Sequence, residues 1–226
     1  MEHAPSPPSA CAGSPVDNTV APTDTRATAT QGSTATPRVA LVTGAGKRLG
    51  RAIALALAQD GWDIGVHCRD SVAEAKQTVT DIQALGRRAV VLQADLDDAA
   101  QCQTLVPRLA DSLGPVSGLV NSASRFEYDD IRSFTPESLQ QHLVPNLMAP
   151  LLLAQSLASQ LPAAPVQGVI VNLLDQKLFN LNPDFLSYTL SKAALSAATT
   201  MLAQTLAPQM RVVGVAPGLT LPSYLQ

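Results

Sequence analysis

The sequence predicts an α/β protein, a single domain built on a doubly wound, parallel, Rossmann-type sheet. Short apolar segments alternate with helical segments of about 10–15 residues, which is the pattern of successive right-handed βαβ units. The first apolar segment also leads directly into a glycine-rich turn and then a helix, across residues 39–59. Because ligands of such sheets bind at the carboxyl ends of the strands, we expect a site at that edge.

Six strands are predicted, and they are apolar on both faces, as a sheet covered by helices on both sides requires. They are Val39–Val42, Trp62–His67, Ala89–Gln93, Gly118–Val120, Val169–Leu173 and Arg211–Val215. The helical regions between them are Arg51–Gln59, Ala73–Leu85, Ala99–Leu113, Pro136–Leu161 and Tyr188–Leu206. Pro145 and Pro150 predict a kink in the fourth region because proline cannot donate a backbone hydrogen bond, and Pro162 is expected to end it.

Composition separates a tail from a domain and disfavours some classes of partner. Residues 1–36 are rich in Pro, Thr, Ala and Ser, so we expect a disordered tail, and residues 37–226 form the expected domain. The net charge of −3 gives no reason to expect nucleic acid or an anionic membrane surface, and no apolar run is long enough to span a bilayer. Cys11, Cys68 and Cys102 show neither disulfide nor metal spacing, so we expect a cytoplasmic protein without a metal.

The glycine-rich turn at residues 43–50 reads Thr-Gly-Ala-Gly-Lys-Arg-Leu-Gly. Such a turn leaves backbone N–H groups free at a helix N-terminus, where they bind an anion such as a cofactor pyrophosphate. Arg48 stands where a backbone-only solution prefers another glycine. Its cation indicates that a further anion or a polar ring is held beside the pyrophosphate.

Tyr188 and Lys192 lie four residues apart and therefore share one face of a predicted helix. A nearby ammonium favours a phenolate, so we expect Lys192 to lower the pKa of Tyr188 and to prepare it for proton transfer near neutral pH. The alternative is an amphipathic pair in which Tyr188 is half-buried and Lys192 lies in solvent.

With these residues the chain resembles the short-chain dehydrogenase/reductase superfamily, over residues 38–223. Within it the chain is most similar to the pteridine reductases and the bacterial dihydromonapterin/dihydrofolate reductases. The resemblance is carried by the turn with Arg48, by the segment Asn-Ser-Ala-Ser-Arg-Phe at residues 121–126, by Tyr188 with Lys192, and by Pro217-Gly218. Ordinary members of the superfamily have Gly in place of Arg48.

Asp175 departs from the ordinary pattern of the superfamily. It lies thirteen residues before Tyr188, where carbonyl-reducing relatives have Ser and pteridine reductases have Asp. A carboxylate would repel the oxyanion that develops on a carbonyl, whereas it suits a heterocycle with N–H donors or a ring nitrogen that must be protonated. The alternative is a turn residue that caps the end of a strand.

The resemblance implies a role for each site residue. Asp175, Tyr188, Lys192 and Asn146 are the implied catalytic residues, with the backbone carbonyl of Asn146 holding a proton-relay water. The implied substrate contacts are Arg48, Ser124, Phe126, Asp175 and Tyr188, with Phe126 stacked on the pterin. Two alternatives stay open at this point: Phe126 is a core aromatic, and the prolines beside Asn146 only bend a packed helix.

Cofactor choice depends on the end of the second strand. NAD-binding sheets usually carry an acid there, but here Arg69 and Ser71 can contact a 2′-phosphate, so NADPH is expected. Asp70 is a complication because it could face the ribose instead. The expected cofactor contacts are Thr43, Gly44, Lys47, Arg48, Leu49, Gly50, His67, Arg69, Ser71, Asp95, Leu96, Asn121, Ala123, Ser124, Lys192, Pro217 and Gly218.

The expected function is therefore NADPH-dependent reduction of a pterin or dihydrofolate-like ring, by a homo-oligomer of two or four chains. The sequence ends at Gln226, soon after Pro217-Gly218, where relatives continue for roughly another helix and strand. We therefore expect the sixth strand to lie at an open edge. Two alternative functions remain: an ordinary short-chain carbonyl reductase, and a truncated, inactive partner that binds cofactor.

Overall fold

Six parallel strands form one sheet in the computed structural model, which describes residues 38–160, 168–218 and 220. The order is β3-β2-β1-β4-β5-β6, and every neighbouring pair is parallel. The strands are β1 (Arg38–Val42), β2 (Trp62–Cys68), β3 (Ala89–Gln93), β4 (Val116–Asn121), β5 (Gly168–Leu173) and β6 (Met210–Val215). The predicted Rossmann-type sheet is confirmed, and its order reverses between β1 and β4, where a ligand crevice is expected.

Helices alternate with the strands as predicted. They are α1 (Arg48–Gln59), α2 (Val72–Ala84), α3 (Ala99–Leu113), α4 (Pro136–Leu143), α5 (Ala149–Gln160) and α6 (Leu186–Leu206), with a short 3-10 helix at Gln176–Phe179. Helix α1 begins three residues before the predicted Arg51, because the glycine-rich turn passes into the helix without an intervening loop.

The two faces of the sheet bury two separate apolar clusters. Successive residues of β1 show the division, since Val39 and Leu41 belong to one cluster and Ala40 and Val42 to the other. This alternation is the period of two expected of a strand. Helices α3 and α5 pack on the first face and α1 and α2 on the second, so the strand ends are held rigidly from both sides.

The long fourth helical region is interrupted at Pro145, as predicted. A π-helical turn, Val144–Met148, joins α4 to α5, and the N–H of Ala149 donates to the carbonyl of Val144 five residues earlier. The wider turn accommodates a proline ring that would clash with the carbonyl of an ordinary helix. Pro150 lies at the second position of α5, directly after this turn, so its missing N–H falls at the same interruption and makes no second break.

Strand β6 lies at one edge of the sheet in the described part of the chain, as predicted, and the side chains of Val213 and Val215 are partly exposed there. The predicted tail at residues 1–36 lies outside the described residues. So does the predicted helix end at Leu161 and Pro162. Within the described residues, no helix has the length and apolar character needed to cross a bilayer.

Candidate active site

A cavity of about 930 Å³ opens at the carboxyl ends of the strands. The segments that follow all six strands contribute to its wall, which is why residues far apart in sequence meet there. The sequence-predicted residues that line it are Gly44, Lys47, Arg48, Leu49, Gly50, His67, Arg69, Ser71, Asp95, Leu96, Ala123, Ser124, Phe126, Asp175, Tyr188, Lys192, Pro217 and Gly218. Their individual roles stay predictions, but their assembly around one cavity is now established.

The glycine-rich turn folds so closely that no side chain fits at Gly44 or Gly50. A Cβ on Gly50 would lie 2.3 Å from the main-chain oxygen of Gly44, and a Cβ on Gly44 would lie 3.0 Å from Cα of Ala123. Gly44 also has a φ of +66°, in the left-handed region that favours glycine. The turn is therefore a bare backbone cradle at the start of α1, and it fits the pyrophosphate of a dinucleotide.

Arg48 has a φ of 50°, so it occupies the left-handed region at the first position of α1. Glycine adopts this conformation without strain, whereas a side chain makes it costly by about 1–2 kcal/mol. This backbone conformation explains why the sequence pattern favours another glycine here. The guanidinium side chain lines the cavity, where the proposed ligand phosphates and ring would lie.

His67 holds the glycine-rich turn by a hydrogen bond from the end of β2. Its Nδ1 accepts a hydrogen bond of 3.1 Å from the N–H of Gly44, and its Nε2 donates to the carbonyl of Ala94 at 3.2 Å. Burial lowers the pKa of His67 from 6.5 to about 4, with the bond to Ala94 opposing the change. The ring is therefore neutral at pH 7 and positions the turn, while its implied contact with the cofactor stays a prediction.

Three of the residues predicted from the sequence, Thr43, Asn121 and Asn146, do not line the cavity but bond to the segments that do. Thr43 accepts hydrogen bonds at its Oγ1 from the N–H groups of Ser122 and Ala123, which ties the end of β1 to the end of β4. Asn121 donates to Asn172 Oδ1 at 2.8 Å and so links β4 to β5. Asn146 is the third.

Asn146 lies inside the π-helical turn and uses its side chain to hold the loop that follows β4. Its Oδ1 accepts from the N–H of Arg125 at 2.8 Å and from Ser124 Oγ at 3.1 Å. Its Nδ2 donates to the carbonyl of Arg125 at 3.0 Å and to Ser191 Oγ at 2.9 Å. The implied relay through the backbone carbonyl of Asn146 stays a prediction, but the prolines do more than bend a helix, since the turn brings this side chain to the loop.

Tyr188 and Asp175 form a hydrogen-bonded pair at the cavity. The phenol hydroxyl donates to Asp175 Oδ2 at 2.6 Å. Burial, together with the hydrogen bond and the charge of Asp175, raises the pKa of Tyr188 well above its ordinary value. The expectation that the pKa of Tyr188 is lowered is wrong here, because burial and the contact with Asp175 raise it, while Lys192 Nζ bonds the carbonyl of Leu173 instead of the phenol.

Lys192 is buried with Tyr188 rather than solvent-exposed. Its Nζ donates to the carbonyl of Leu173 at 2.7 Å and lies 5.8 Å from the centroid of the Tyr188 ring. Burial lowers the pKa of Lys192 to about 8, with the charge of Asp175 opposing the change. The alternative of an amphipathic surface pair is therefore excluded, since Tyr188 is 6% and Lys192 3% exposed.

Asp175 also caps the segment that follows its strand, as the alternative interpretation predicts, while its role in chemistry stays a prediction. Its Oδ1 accepts from the N–H of Lys177 at 2.8 Å, at the start of the 3-10 helix. Its second oxygen is the one that faces Tyr188. Each carboxylate oxygen thus has its own partner, one structural and one in the cavity.

Phe126 lines the cavity with an aromatic neighbour that the sequence patterns did not reveal. Its ring is stacked on Phe185 with centroids 4.3 Å apart and an interplanar angle of 9°, and it meets Tyr188 edge-on at 4.6 Å. A planar ligand on Phe126 must use its other face or displace Phe185. Phe185 has a φ of 57° and lies three residues before Tyr188, a spacing that carries no signal by itself.

Two ion pairs occupy the part of the cavity where a 2′-phosphate is expected. Arg69 Nε lies 2.8 Å from Asp70 Oδ2, and Lys47 Nζ lies 2.6 Å from Glu74 Oε1. Both pairs are substantially exposed, so their mutual attraction is weak and a doubly charged phosphate can compete for the cations. Asp70 is thus already paired with Arg69. Within the described residues, no group of three or more His, Cys, Asp or Glu side chains is arranged to hold a metal.

The fold and this cavity define the class of protein. The sequence profile of the short chain dehydrogenase family matches residues 38–226, and the chain belongs to that family of oxidoreductases. The sequence-based identification of the superfamily is confirmed.

Known relatives place the chain more closely. It is similar to the FolM alternative dihydrofolate reductase 1 of Brucella canis, solved in complex with NADP, with 41% identity and a TM-score of 0.80 over 84% of this chain and 74% of that one. It is 36% identical over 182 residues to an uncharacterized oxidoreductase of Methylorubrum extorquens, covering 80% of this chain and 72% of the relative. A 2-dehydro-3-deoxy-D-gluconate 5-dehydrogenase of Dickeya dadantii is 32% identical, covering 80% and 71%.

Proposed function

We propose that the chain reduces a pterin or dihydrofolate-like ring with NADPH as the hydride donor. The observation that carries this proposal is the hydrogen bond between Tyr188 and Asp175 inside the cavity. A carboxylate at this place opposes an oxyanion on a carbonyl, but it accepts from the N–H groups of a pterin or pairs with a ring nitrogen that becomes protonated. The similarity to a FolM dihydrofolate reductase supports the same substrate class.

The proposed cofactor is NADPH, and the residues present fit it. The bare turn at Gly44 and Gly50 would take the pyrophosphate, Arg69 and Ser71 the 2′-phosphate, and Lys192 the nicotinamide ribose. When bound, the cofactor supplies the hydride for a C=N bond. The NADP complex of the Brucella canis relative agrees with this choice.

Proton delivery falls to Tyr188 and Asp175. Tyr188 carries its proton at neutral pH because its pKa is raised. A phenol held in this way is a weak acid, so donation to a ring nitrogen requires that the bound substrate first replace the bond between the hydroxyl and Asp175. Loss of that proton leaves a phenolate beside the carboxylate of Asp175. The buried ammonium of Lys192, 5.8 Å from the ring, offsets this negative charge.

The experiment measures NADPH oxidation by the full chain with dihydrobiopterin, dihydromonapterin, dihydrofolate and simple ketones. We expect turnover of at least one pterin, and a loss of about 10²–10⁴-fold in kcat/KM for it on Asp175→Ser. The Kd of NADPH should stay within about twofold. Asp184→Asn is the matched control, because this exposed acid lies outside the cavity and should leave kcat/KM unchanged.

A carbonyl reductase is the second candidate, because the Dickeya dadantii relative is a sugar-acid dehydrogenase. In that case simple ketones are turned over and the pterins are not, and Asp175→Ser preserves or raises the ketone rate. NADPH binding without turnover of any compound would indicate the inactive, cofactor-binding partner. Either result overturns the pterin proposal.

A further inference from the structure

Helix α6 carries Tyr188 in its first turn but has no cap of its own. Phe185 occupies the N-cap position, and its side chain accepts no hydrogen bond from the helix. The first backbone N–H groups of a helix have no partner within the helix, and buried ones must find a partner elsewhere. The start of α6 is buried, since Ser187 is completely inaccessible to solvent.

Asp129, 58 residues earlier in the chain, supplies the missing partners. Its main-chain carbonyl accepts from the N–H of Leu186 at 3.1 Å, and its Oδ1 accepts from the N–H of Ser187 at 2.9 Å. Its Oδ2 accepts from the hydroxyl of Ser187 and from Ser138 Oγ, the latter at 2.9 Å. A buried carboxylate at a helix N-terminus also interacts favourably with the helix dipole.

The same cluster, Asp129 with Ser138 and Ser187, joins three elements, of which the loop after β4 and helix α6 border the cavity. Asp129 belongs to the loop that carries Phe126, Ser138 to α4, and Ser187 to α6. His142 of α4 extends the network, because its Nε2 accepts from the N–H of Glu127 at 3.2 Å and its Nδ1 donates to the carbonyl of Ser138 at 2.8 Å. The loop and the helix are thus fixed relative to each other next to the pair of Tyr188 and Asp175.

Asp129 is held in the ionised form that this role requires. Its carboxylate is buried, which by itself favours the neutral form. Hydrogen bonds from Ser187 and Ser138 outweigh burial and lower the pKa of Asp129 below its ordinary value. An ionised carboxylate accepts at both oxygens, whereas an amide accepts at one.

We infer that Asp129 is a positioning residue for the reaction, which fixes the first turn of α6 and through it the contact between Tyr188 and Asp175. The inference rests on the proposed function in taking Tyr188 as the proton donor. Small displacements of a catalytic group reduce rates strongly, by about a hundredfold for 1 Å. Asp129 itself lines no part of the cavity and would not touch the substrate.

The test compares Asp129→Asn with Asp130→Asn in the full chain. The neighbouring Asp130 is a matched control, because its carboxylate accepts from the N–H groups of Arg132 and Ser133 in its own turn, away from α6. For Asp129→Asn we expect kcat to fall by about tenfold to a hundredfold, with the Kd of NADPH within about twofold. The control should leave both unchanged.

A spectroscopic measurement separates positioning from mere stabilisation and needs no substrate. Tyrosine labelled with an NMR-active carbon at Cζ reports whether the Tyr188 hydroxyl is bonded, and Tyr188→Phe assigns its resonance among the three tyrosines. Asp129→Asn should shift this resonance in the direction produced by Asp175→Asn. An unchanged resonance, with only the stability lowered, overturns the inference.

Ser187→Ala is the second variant and keeps the test valid if Asp129→Asn does not fold. It removes one hydrogen bond to the carboxylate of Asp129 without changing the charge. The Tyr188 resonance should therefore shift in the same direction as in Asp129→Asn, but by less. If no pterin is reduced but the resonance moves, the proposed function fails and the positioning role stands.

Discussion

The buried histidine beneath the glycine-rich turn predicts a specific loss of stability in acid. His67 accepts the N–H of Gly44 at Nδ1, which requires a neutral ring. Its pKa is lowered by burial from 6.5 to about 4, so between these values the unfolded chain binds a proton that the folded protein does not. The free energy of unfolding must therefore fall as the pH falls through this window.

The size of the effect follows from the two pKa values. Each pH unit between them corresponds to about 1.4 kcal/mol, which gives a loss of about 2 kcal/mol at pH 5 and about 3 kcal/mol at pH 4, relative to pH 7. Protonation also converts Nδ1 from an acceptor into a donor that faces the N–H of Gly44. The turn is then displaced, so NADPH affinity should decline over the same range.

The assay is equilibrium unfolding in urea at pH 7, 6, 5 and 4, on the wild-type chain and on His67→Gln. The substitution lowers stability at pH 7 because the turn loses support, but it removes the titrating group. Other groups titrate equally in both proteins and cancel in the difference. The free energy of unfolding of the wild type minus that of His67→Gln should therefore fall by about 3 kcal/mol from pH 7 to pH 4. A difference in unfolding free energy that stays constant with pH would refute the claim that His67 is buried in its neutral form.

Two further predictions concern close packing and a buried ion pair. Gly50→Ala should weaken NADPH binding at least about tenfold, because its Cβ would lie 2.3 Å from the main-chain oxygen of Gly44. The control is Gly86→Ala, at a residue with a positive φ whose Cβ would enter open space. It should cost about 1 kcal/mol of stability and leave the Kd of NADPH unchanged. Equal Kd values for the two variants would contradict the cradle. Asp63→Ala should cost about 1–3 kcal/mol in urea unfolding, because it removes a buried carboxylate that pairs with two arginines, which are themselves 30% and 54% exposed and stay partly hydrated. Asp60→Ala, at an exposed pair, should change stability little, and similar losses for both would refute the argument.

The elements of the fold could be predicted because their signals are local. A strand buried on both faces reads as a continuous apolar run, and glycine spacing marks a turn that excludes side chains. The interruption at Pro145 is likewise dictated by one residue and its missing N–H. The exact ends of the helices were less certain, as the early start of α1 at Arg48 shows.

The sequence could not reveal contacts that depend on tertiary structure. The spacing of Tyr188 and Lys192 says that they share a helix face, but it says nothing about the carboxylate that approaches from β5. Burial of the phenol, together with that carboxylate, raises the pKa of Tyr188 instead of lowering it. The cap that Asp129 provides for α6 joins residues 58 positions apart, so no local sequence pattern predicts it.

Asp175 links the local fold to the proposed reaction at this site. One oxygen accepts from the N–H of Lys177 and the other from the hydroxyl of Tyr188. A serine offers a single oxygen, which can accept both bonds only where the N–H of Lys177 and the hydroxyl of Tyr188 converge on one point, whereas the two oxygens of Asp175 meet them separately. We therefore expect that exchange between a carbonyl-reducing site and this one also moves the segment at residues 174–179. A single Asp175→Ser substitution should lose pterin reduction more readily than it gains efficient ketone reduction.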